Sequence, residues 1–184
     1  MPLGQTARQA LCARHSGAAG MNVYDFVVIG SGPAGRRAAI QAAKLGKKVL
    51  VIEKGTRVGG VSVHTGTIPS KTLRETALNL TGWRERGFYG RSYRVKQEIS
   101  ADDLRRRLLI TLNHEVDVLE HQFARNRVAQ LRGHARFIDK NTIEVIKDDG
   151  EIVRIHADSV LLAVGTRPFR PAHIPFDGDK IIDS

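Results

Sequence analysis

A glycine-rich turn that directly follows an apolar run is the feature that most constrains this chain. Residues 24–29 (YDFVVI) lead straight into residues 30–35 (GSGPAG), and an alanine-rich segment comes next. This order predicts a strand, a tight turn and a helix. Gly30 permits the turn, Gly32 lets the backbone approach a pyrophosphate, and Gly35 lets helix and strand pack closely. The N-terminus of the helix then faces the phosphates.

The segments after the turn complete a dinucleotide-binding unit. The alanine-rich helix Ala38–Leu45 stops at Gly46, and a second strand over residues 48–52 (KVLVI) ends at Glu53. A carboxylate about 20 residues beyond the glycines is placed to accept hydrogen bonds from an adenosine ribose. Because the strands, the helix, the turn and the acid agree, the sequence predicts nucleotide binding rather than a chance glycine turn.

Length and charge limit the class of protein. The chain has 184 residues, enough for one domain with a real core or for a fragment of something larger. Its formal net charge of +10 suggests a polyanionic partner at first sight. The excess lies partly in the first 24 residues, which carry no acid, and partly in mixed-sign stretches such as residues 102–107 (DDLRRR). With aromatic residues at 5%, stacking platforms are scarce, so we expect no nucleic-acid partner.

The single cysteine, Cys12, excludes an intrachain disulfide and a cysteine metal site, and no metal ligands are predicted. This fits a reducing compartment, and no apolar run approaches the ~20 residues that span a bilayer. We therefore expect a soluble, cytoplasmic chain without membrane contact. Residues 1–20 are expected to be a disordered leader, either an organelle transit peptide or an upstream extension with Met21 as the natural start; the second interpretation is favoured.

Periodicity predicts the remaining elements. A glycine-rich loop covers residues 55–67, and a helix begins at Ile68 and runs to Gly82. Ser100 and Asp103 form a capping-box pattern before a long helix that extends to about Arg127. Short apolar segments at residues 135–137, 142–146 and 152–155 predict a small antiparallel meander, and a buried-type strand follows at residues 159–164.

The predicted fold class is α/β: a Rossmann-like nucleotide-binding domain over residues 21–184, with a parallel sheet, a long helix and a small antiparallel meander. A family resemblance is carried by GSGPAG at 30–35, Glu53-Lys54, VGG at 58–60, Gly66 with IPSK at 68–71, and AVGTRP at 163–168. In this order these pieces resemble the FAD-dependent pyridine nucleotide-disulfide oxidoreductases, which include dihydrolipoamide dehydrogenase and glutathione reductase. The resemblance implies that residues 21–184 form an FAD-binding domain.

Two positions depart from the family's chemistry. The family pattern GGxCxxxxCIPSK places two redox cysteines where this chain has Ser62 and Thr67. A flavin passes electrons to a dithiol relay only through sulfur, and a hydroxyl can form neither a disulfide nor a flavin adduct of that kind. Disulfide reductase activity is therefore excluded, and we assign no catalytic residue.

One branch of the family resembles the sequence more closely. In the soluble pyridine nucleotide transhydrogenases the second slot is threonine within a His-x-Gly-Thr-Ile-Pro-Ser-Lys stretch, as in residues 64–71 here. That branch commonly keeps a cysteine where this chain has Ser62. The resemblance implies an enzyme that moves hydride between NADPH and NAD⁺ by way of FAD.

The resemblance also implies roles for individual residues. Gly30, Gly32 and Gly35 surround the FAD pyrophosphate, and Glu53 with Lys54 holds the adenosine ribose region. Gly59, Gly60 and Ser62 line the route to the flavin ring, with Thr67 near the ring and Lys71 close to its polar edge. Ala135 lies in the segment whose backbone meets the adenine. The turn Val164-Gly165-Thr166 closes over the cofactor. His64 is equally open to being a flavin neighbour or an ordinary loop residue. Ser62 and Thr67 are favoured as space-fillers in a former redox slot.

Alternatives remain open at this point. Another flavin-dependent NAD(P)H oxidoreductase, such as an oxidase or quinone reductase, and a non-catalytic nucleotide-binding fragment both fit the same residues. In the resembled family an NAD(P)H-binding domain and a dimerisation domain follow, and no second GxGxxG occurs after Glu53. We therefore expect this chain to be the N-terminal FAD portion of a longer, homodimeric architecture, with nicotinamide nucleotides binding outside it.

Overall fold

The structure is a computed structural model that describes residues 22–82, 87–90, 98 and 100–183. The expected leader at residues 1–20 lies outside the described residues. The ordered elements are β1 (Asn22–Ile29), α1 (Pro33–Lys44), β2 (Val49–Glu53), α2 (Gly60–His64), α3 (Thr67–Thr81), α4 (Ala101–Arg125), β3 (Ala129–Arg132), β4 (His134–Phe137), β5 (Thr142–Ile146) and β6 (Ile152–Leu162).

One six-stranded sheet organises these elements, in the order β3-β2-β1-β6-β5-β4. The pairs β3-β2, β2-β1 and β1-β6 are parallel, whereas β6-β5 and β5-β4 are antiparallel. The predicted α/β class is confirmed, with its parallel sheet, long helix and antiparallel meander. The meander is continuous with the parallel part because β6 belongs to both.

The sheet is rolled rather than flat. β3 and β4 stand at opposite ends of the strand order, yet Gly133 alone separates them along the chain. One residue spans at most about 3.5 Å, so the two ends of the sheet must come together there. Space at this point is tight, because a Cβ on Gly133 would lie 2.6 Å from the carbonyl oxygen of Ile146. The meander therefore folds back over one face of the parallel strands.

Two apolar layers result, one on each face of the parallel strands. Val27 and Val28 are both fully buried, and their side chains enter different layers because successive residues of a strand point to opposite faces. The layer around Val28 holds residues of α1, α2 and α4, including Ala39, Val63 and Phe123. The layer around Val27 is closed by the meander. The parallel strands are thus covered on both faces, as their continuous apolar sequences require.

Helix α4 follows the sequence prediction closely. The Ser100 hydroxyl accepts the backbone N–H of Asp103, and the Asp103 carboxylate accepts the Ser100 N–H at 2.9 Å, which is the predicted capping box. Val116, Leu119 and Phe123 form its buried stripe. Helix α3 also ends as predicted, at Gly82 in the left-handed conformation.

Three features differ from the sequence-based expectation. The segments 152–155 and 159–164, expected as separate strands, form the single strand β6. Its central residues stay extended because His156 pairs with Thr142 on one side and Ala157 pairs with Tyr24 on the other. β3 was not predicted, and α2 lies inside the expected loop at 55–67. Both are too short for a periodic signal in the sequence. β3 forms because it pairs with β2, and α2 forms because its residue Val63 packs in the core.

Among the residues described, no helix combines the length and the apolar character needed to cross a membrane.

Substitution of Arg127 by glycine is expected to stabilise the fold. Arg127 is the one non-glycine residue with positive φ among those described, at +56°, directly after α4. The Val128 N–H donates to the Phe123 carbonyl across it, as in a Schellman motif that favours glycine. We expect Arg127→Gly to raise the free energy of unfolding in urea by about 0.5–1 kcal/mol. Arg125→Gly, inside the helix, should lower it by a similar amount; a loss of stability in Arg127→Gly would contradict this account.

Candidate nucleotide-binding site

The carboxyl ends of four strands meet at one edge of the sheet. Parallel pairing aligns Ile29 of β1 with Ile52 of β2 on one side and with Leu162 of β6 on the other, and Glu53 pairs with Arg132 of β3. Loops that follow these strands therefore emerge close together. In open α/β sheets ligands bind at this edge.

Close packing demands glycine at two positions of the first turn. Gly30 has φ +103°, and a Cβ there would lie 2.3 Å from the carbonyl oxygen of Ala163. A Cβ on Gly35 would lie 2.0 Å from the Gly30 carbonyl oxygen. These distances are far below any real contact, so β1, α1 and the end of β6 approach each other only because both residues lack side chains. The fold itself accounts for these two glycines.

Gly32 is different, because no protein atom requires it. Its φ is −62°, which any residue adopts, and a Cβ there would meet nothing within 4 Å. Gly32 is also the N-cap of α1, where no side chain caps the helix and no acidic residue stands in the first turn. With no such cap, the positive end of the helix dipole lies beside the open space at Gly32. This is the arrangement that receives a phosphate.

Glu53 lies beside this turn and is held by hydrogen bonds. Its Oε2 accepts the Ser31 hydroxyl at 2.5 Å and the Ser31 N–H at 2.9 Å, and its Oε1 accepts the Gly55 N–H at 2.8 Å. Burial raises the pKa of the Glu53 carboxyl, but these bonds outweigh burial and hold its pKa below the ordinary glutamate value. A fixed carboxylate therefore stands at the end of β2.

The second glycine-rich loop packs against the first. The Gly59 N–H donates to the Ser31 hydroxyl oxygen at 2.9 Å, and a Cβ on Gly60 would lie 3.0 Å from the Gly32 Cα. Gly59 and Gly60 both have positive φ, at +121° and +61°. The loop that starts α2 is thus held directly over the turn that starts α1.

Ser62 and Thr67, at the positions where the family pattern has cysteine, stand on different helices. Ser62, in α2, donates its hydroxyl to the Gly59 carbonyl oxygen at 3.1 Å, and Thr67 is exposed at the start of α3. His64 lies 2.9 Å through Nε2 from the Val58 carbonyl oxygen, where a ring N–H can donate. Ser62 and His64 therefore bond to the backbone of their own segment, and their roles toward a flavin stay predictions.

Lys71 lies farther along α3 and lines a cleft of about 240 Å³ between α3 and α4. The other residues of this cleft are Thr72, Glu75, Thr76, Asn79, Arg107 and Thr111. None of them comes from the glycine-rich turns. The start of α3 itself is anchored near the site, because Ile68 packs on the core layer that contains Val28 and Val63. The expected contact of Lys71 with the flavin edge stays a prediction.

The remaining predicted residues follow the ends of neighbouring strands. Lys54 is exposed directly after β2. Gly133, which precedes β4 and the half-buried Ala135, donates its N–H to the Glu53 carbonyl oxygen at 3.0 Å. Val164, Gly165 and Thr166 follow β6, whose end is tied to β1 because the Ala163 N–H donates to the Ile29 carbonyl oxygen at 2.8 Å. All of them emerge at the carboxyl edge, and their contact with a ligand stays a prediction.

Ser31 is the site residue that sequence reasoning missed. It is fully buried and bonds both to Glu53 and to Gly59, 22 and 28 residues away. Its place between two glycines gave no signal, because an unspecified position in GxGxxG is usually free to vary. The one available signal was indirect: Ser31 follows β1 and Glu53 ends β2, so pairing of these two strands brings the hydroxyl and the acid to the same edge of the sheet.

Comparison with known proteins agrees with this geometry. The profile of the pyridine nucleotide-disulphide oxidoreductase family matches residues 24–183. The chain belongs to this family. The family resemblance derived from the sequence is thereby confirmed.

Relatives within the family carry a more specific name. The soluble pyridine nucleotide transhydrogenase of Mycobacterium tuberculosis (strain ATCC 25177 / H37Ra) is 51% identical over 166 residues, 89% of this chain and 35% of the relative. The protein of the same name from Colwellia psychrerythraea is 37% identical over 161 residues, 88% of this chain and 34% of the relative. The chain thus spans about a third of the length of these relatives.

A solved structure shares the fold. The HOCl-induced flavoprotein disulfide reductase RclA from Escherichia coli, determined as a Cu(II) complex, superposes with a TM-score of 0.68 at 25% identity. The match covers 83% of this chain and 31% of that protein.

Alanine substitutions at the two glycines should separate packing from ligand space. Gly35→Ala forces a Cβ against the Gly30 carbonyl, so we expect it to lower the free energy of unfolding by about 3 kcal/mol or more. Gly32→Ala meets no atom and should cost about 1 kcal/mol or less, mainly through its poorer N-cap. Urea unfolding followed by circular dichroism measures both. Equal losses in the two variants would show that Gly32 also serves the fold.

Proposed function

We propose that this chain is the FAD-binding portion of a soluble pyridine nucleotide transhydrogenase, which moves hydride between NADPH and NAD⁺ by way of FAD. One observation carries the proposal: a nucleotide cradle built for close backbone approach stands beside a redox position that holds Ser62 and Thr67 instead of two cysteines. The relatives that bear the transhydrogenase name, at 51% and 37% identity, support the same assignment.

The residues present fit FAD. The open space at Gly32 and the uncapped N-terminus of α1 suit a pyrophosphate, because backbone N–H groups and the helix dipole favour negative charge there. Glu53, at the end of β2, is ionised and placed to accept from ribose hydroxyls. We assign Gly30, Gly32 and Gly35 to the pyrophosphate turn and Glu53 with Lys54 to the ribose region.

The other assignments follow the same edge of the sheet. Gly59, Gly60 and Ser62 line the route to the flavin ring, Thr67 lies near the ring, and Lys71 serves its polar edge. Ala135 meets the adenine, and the turn Val164-Gly165-Thr166 closes over the cofactor. These positions lie in the segments that follow β2, β3 and β6 along the chain, and the carboxyl ends of those strands meet at one edge of the sheet.

Loss of the dithiol determines where electrons can go. FAD, when bound, accepts and releases hydride equivalents. No sulfur at 62 or 67 is available for a disulfide relay, and the Ser62 hydroxyl is bonded to the Gly59 carbonyl. A diffusible acceptor must therefore take the hydride, and a second nicotinamide nucleotide serves that purpose. The protein's contribution is to hold the cofactor in place.

The rest of the architecture is proposed from the relatives. Residues 21–184 form the FAD-binding domain, and the NAD(P)H-binding and dimerisation regions correspond to the part of the relatives that this chain does not cover. We propose a homodimer of the longer architecture that acts in the cytoplasm, with nicotinamide nucleotides as substrates and no nucleic-acid partner.

Purified chain should bind FAD and become yellow, with flavin absorbance that stays with the protein on gel filtration. Gly32→Ala places a methyl group where the pyrophosphate approaches, so it should weaken FAD binding roughly tenfold or more while the fold is kept. Gly87→Ala is the matched control, since a Cβ there also meets nothing within 4 Å. A colourless wild-type protein after refolding with FAD would support the non-catalytic alternative.

Hydride transfer should be measured on the native gene product. With NADPH as donor and the thionicotinamide analogue of NAD⁺ as acceptor, we expect reduction of the analogue that depends on FAD. In rapid-mixing experiments the reduced protein should be reoxidised by NAD⁺ in preference to oxygen or a quinone. Preferential reoxidation by oxygen or quinone would instead identify an oxidase or quinone reductase, the alternative enzyme class for a flavoprotein without a redox disulfide.

A further inference from the structure

Ser31 stands where three segments of the site meet. Its side chain is fully buried, which is unusual for a polar residue next to an open ligand edge. It lies between the two glycines of the first turn, touches the acid that ends β2, and touches the loop that begins α2. The residue therefore has more contacts than a spacer between two glycines needs.

The hydroxyl of Ser31 both donates and accepts. It donates to Glu53 Oε2 at 2.5 Å, and it accepts the Gly59 N–H at 2.9 Å. The Ser31 backbone N–H also donates to Glu53 Oε2, at 2.9 Å. A chain of bonds thus runs from Gly59 through Ser31 to Glu53, and alanine or glycine at position 31 could not form it.

These bonds determine what Glu53 can offer to a ligand. A carboxylate has about four acceptor positions on its two oxygens. The two bonds from Ser31 occupy Oε2, and the Gly55 N–H occupies one position of Oε1. Of these three bonds, two lie on Oε2 and one on Oε1, so Oε1 keeps the greater capacity to accept a further hydrogen bond.

We propose that Ser31 is a positioning residue for nucleotide binding: its hydroxyl holds Glu53 so that Oε1 faces the ribose, and it links that carboxylate to the Gly59 loop. This inference rests on the proposed FAD-binding function and deepens it. It makes the adenosine end of the site and the loop toward Ser62 one hydrogen-bonded unit.

Charges around Glu53 do not supply the same effect. The charged side chains that line its cleft are Arg57, Glu120 of α4 and Arg132 of β3. Arg132 is paired with Asp148 at 2.6 Å, and Arg57 donates to Asn113 at 2.6 Å. The groups that hold the pKa of Glu53 low are the hydrogen bonds from Ser31, Gly55 and the adjacent backbone rather than these ions. Removing the Ser31 hydroxyl therefore removes the hydrogen bond that contributes most to lowering the pKa of Glu53.

Isothermal titration with ADP tests the proposal, because ADP carries the adenosine ribose and the diphosphate without the flavin. We expect Ser31→Ala to weaken ADP binding about tenfold at pH 7, since a hydrogen bond to a charged group is lost. Wild-type affinity should fall only as the pH drops below the ordinary glutamate range. In Ser31→Ala the fall should begin at higher pH, because the pKa of Glu53 rises.

Two variants distinguish positioning from a general loss of structure. In a Glu53→Gln background, Ser31→Ala should change ADP affinity less than twofold, because the carboxylate it positions is gone. Ser70→Ala removes a hydroxyl that donates to the Gly66 carbonyl at 2.9 Å on α3, and it should leave both the affinity and its pH profile unchanged. The proposal would be overturned if Ser31→Ala lowered ADP affinity by the same factor in the wild-type and Glu53→Gln backgrounds, at every pH.

A measurement on the wild-type chain keeps the proposal testable if Ser31→Ala does not fold. Carboxyl ¹³C NMR, with the Glu53 signal identified by its loss in Glu53→Gln, should show titration below the ordinary glutamate range. Titration at the ordinary value would refute the positioning role. Failure of the wild-type chain to bind either ADP or FAD would instead refute the proposed function, so the two failures are distinguishable.

Discussion

Parallel pairing of β1 with both β2 and β6 is the constraint on which the rest of the structure depends. It brings the ends of these strands to one edge, and it does so at a separation that only glycine tolerates at positions 30 and 35. Once the turn is formed, the N-terminus of α1, the carboxylate of Glu53 and the Gly59 loop have little freedom in where they lie. The site follows from how closely the backbone segments approach.

The packing of α2 does not depend on sulfur at positions 62 and 67. Helix α2 is held by the fully buried Val63, which belongs to the layer formed with α1 and α4, and by the bond from the Gly59 N–H to Ser31. Neither contact needs sulfur. The cradle therefore keeps its shape with serine at position 62, where the family pattern has cysteine. The packing of the cradle therefore does not depend on which chemical group residue 62 carries.

Local signals account for the elements that the sequence predicted well. The capping box at Ser100 and the apolar stripe of α4 are both contained within neighbouring turns of one helix, and the glycine-rich turn is contained within six residues. β3 gave no such signal, because four residues are too few for a period and its partner β2 is distant in sequence. The sequence divided β6 into two strands because His156 and Asp158 interrupt its apolar run. Pairing with neighbouring strands on both sides keeps the backbone extended through these residues.

By itself the sequence determined the dinucleotide-binding unit, the family and the absence of a dithiol at positions 62 and 67, because each depends on residue type and spacing along the chain. Only the tertiary structure decided that Gly30 and Gly35 serve packing whereas Gly32 leaves room for a ligand. The difference depends on the carbonyl oxygens of Ala163 and Gly30, which the fold brings close to Gly30 and Gly35 respectively and not to Gly32. It also revealed Ser31 as the link between Glu53 and Gly59. Contacts across 22 and 28 residues arise from strand pairing and burial, which no local pattern contains.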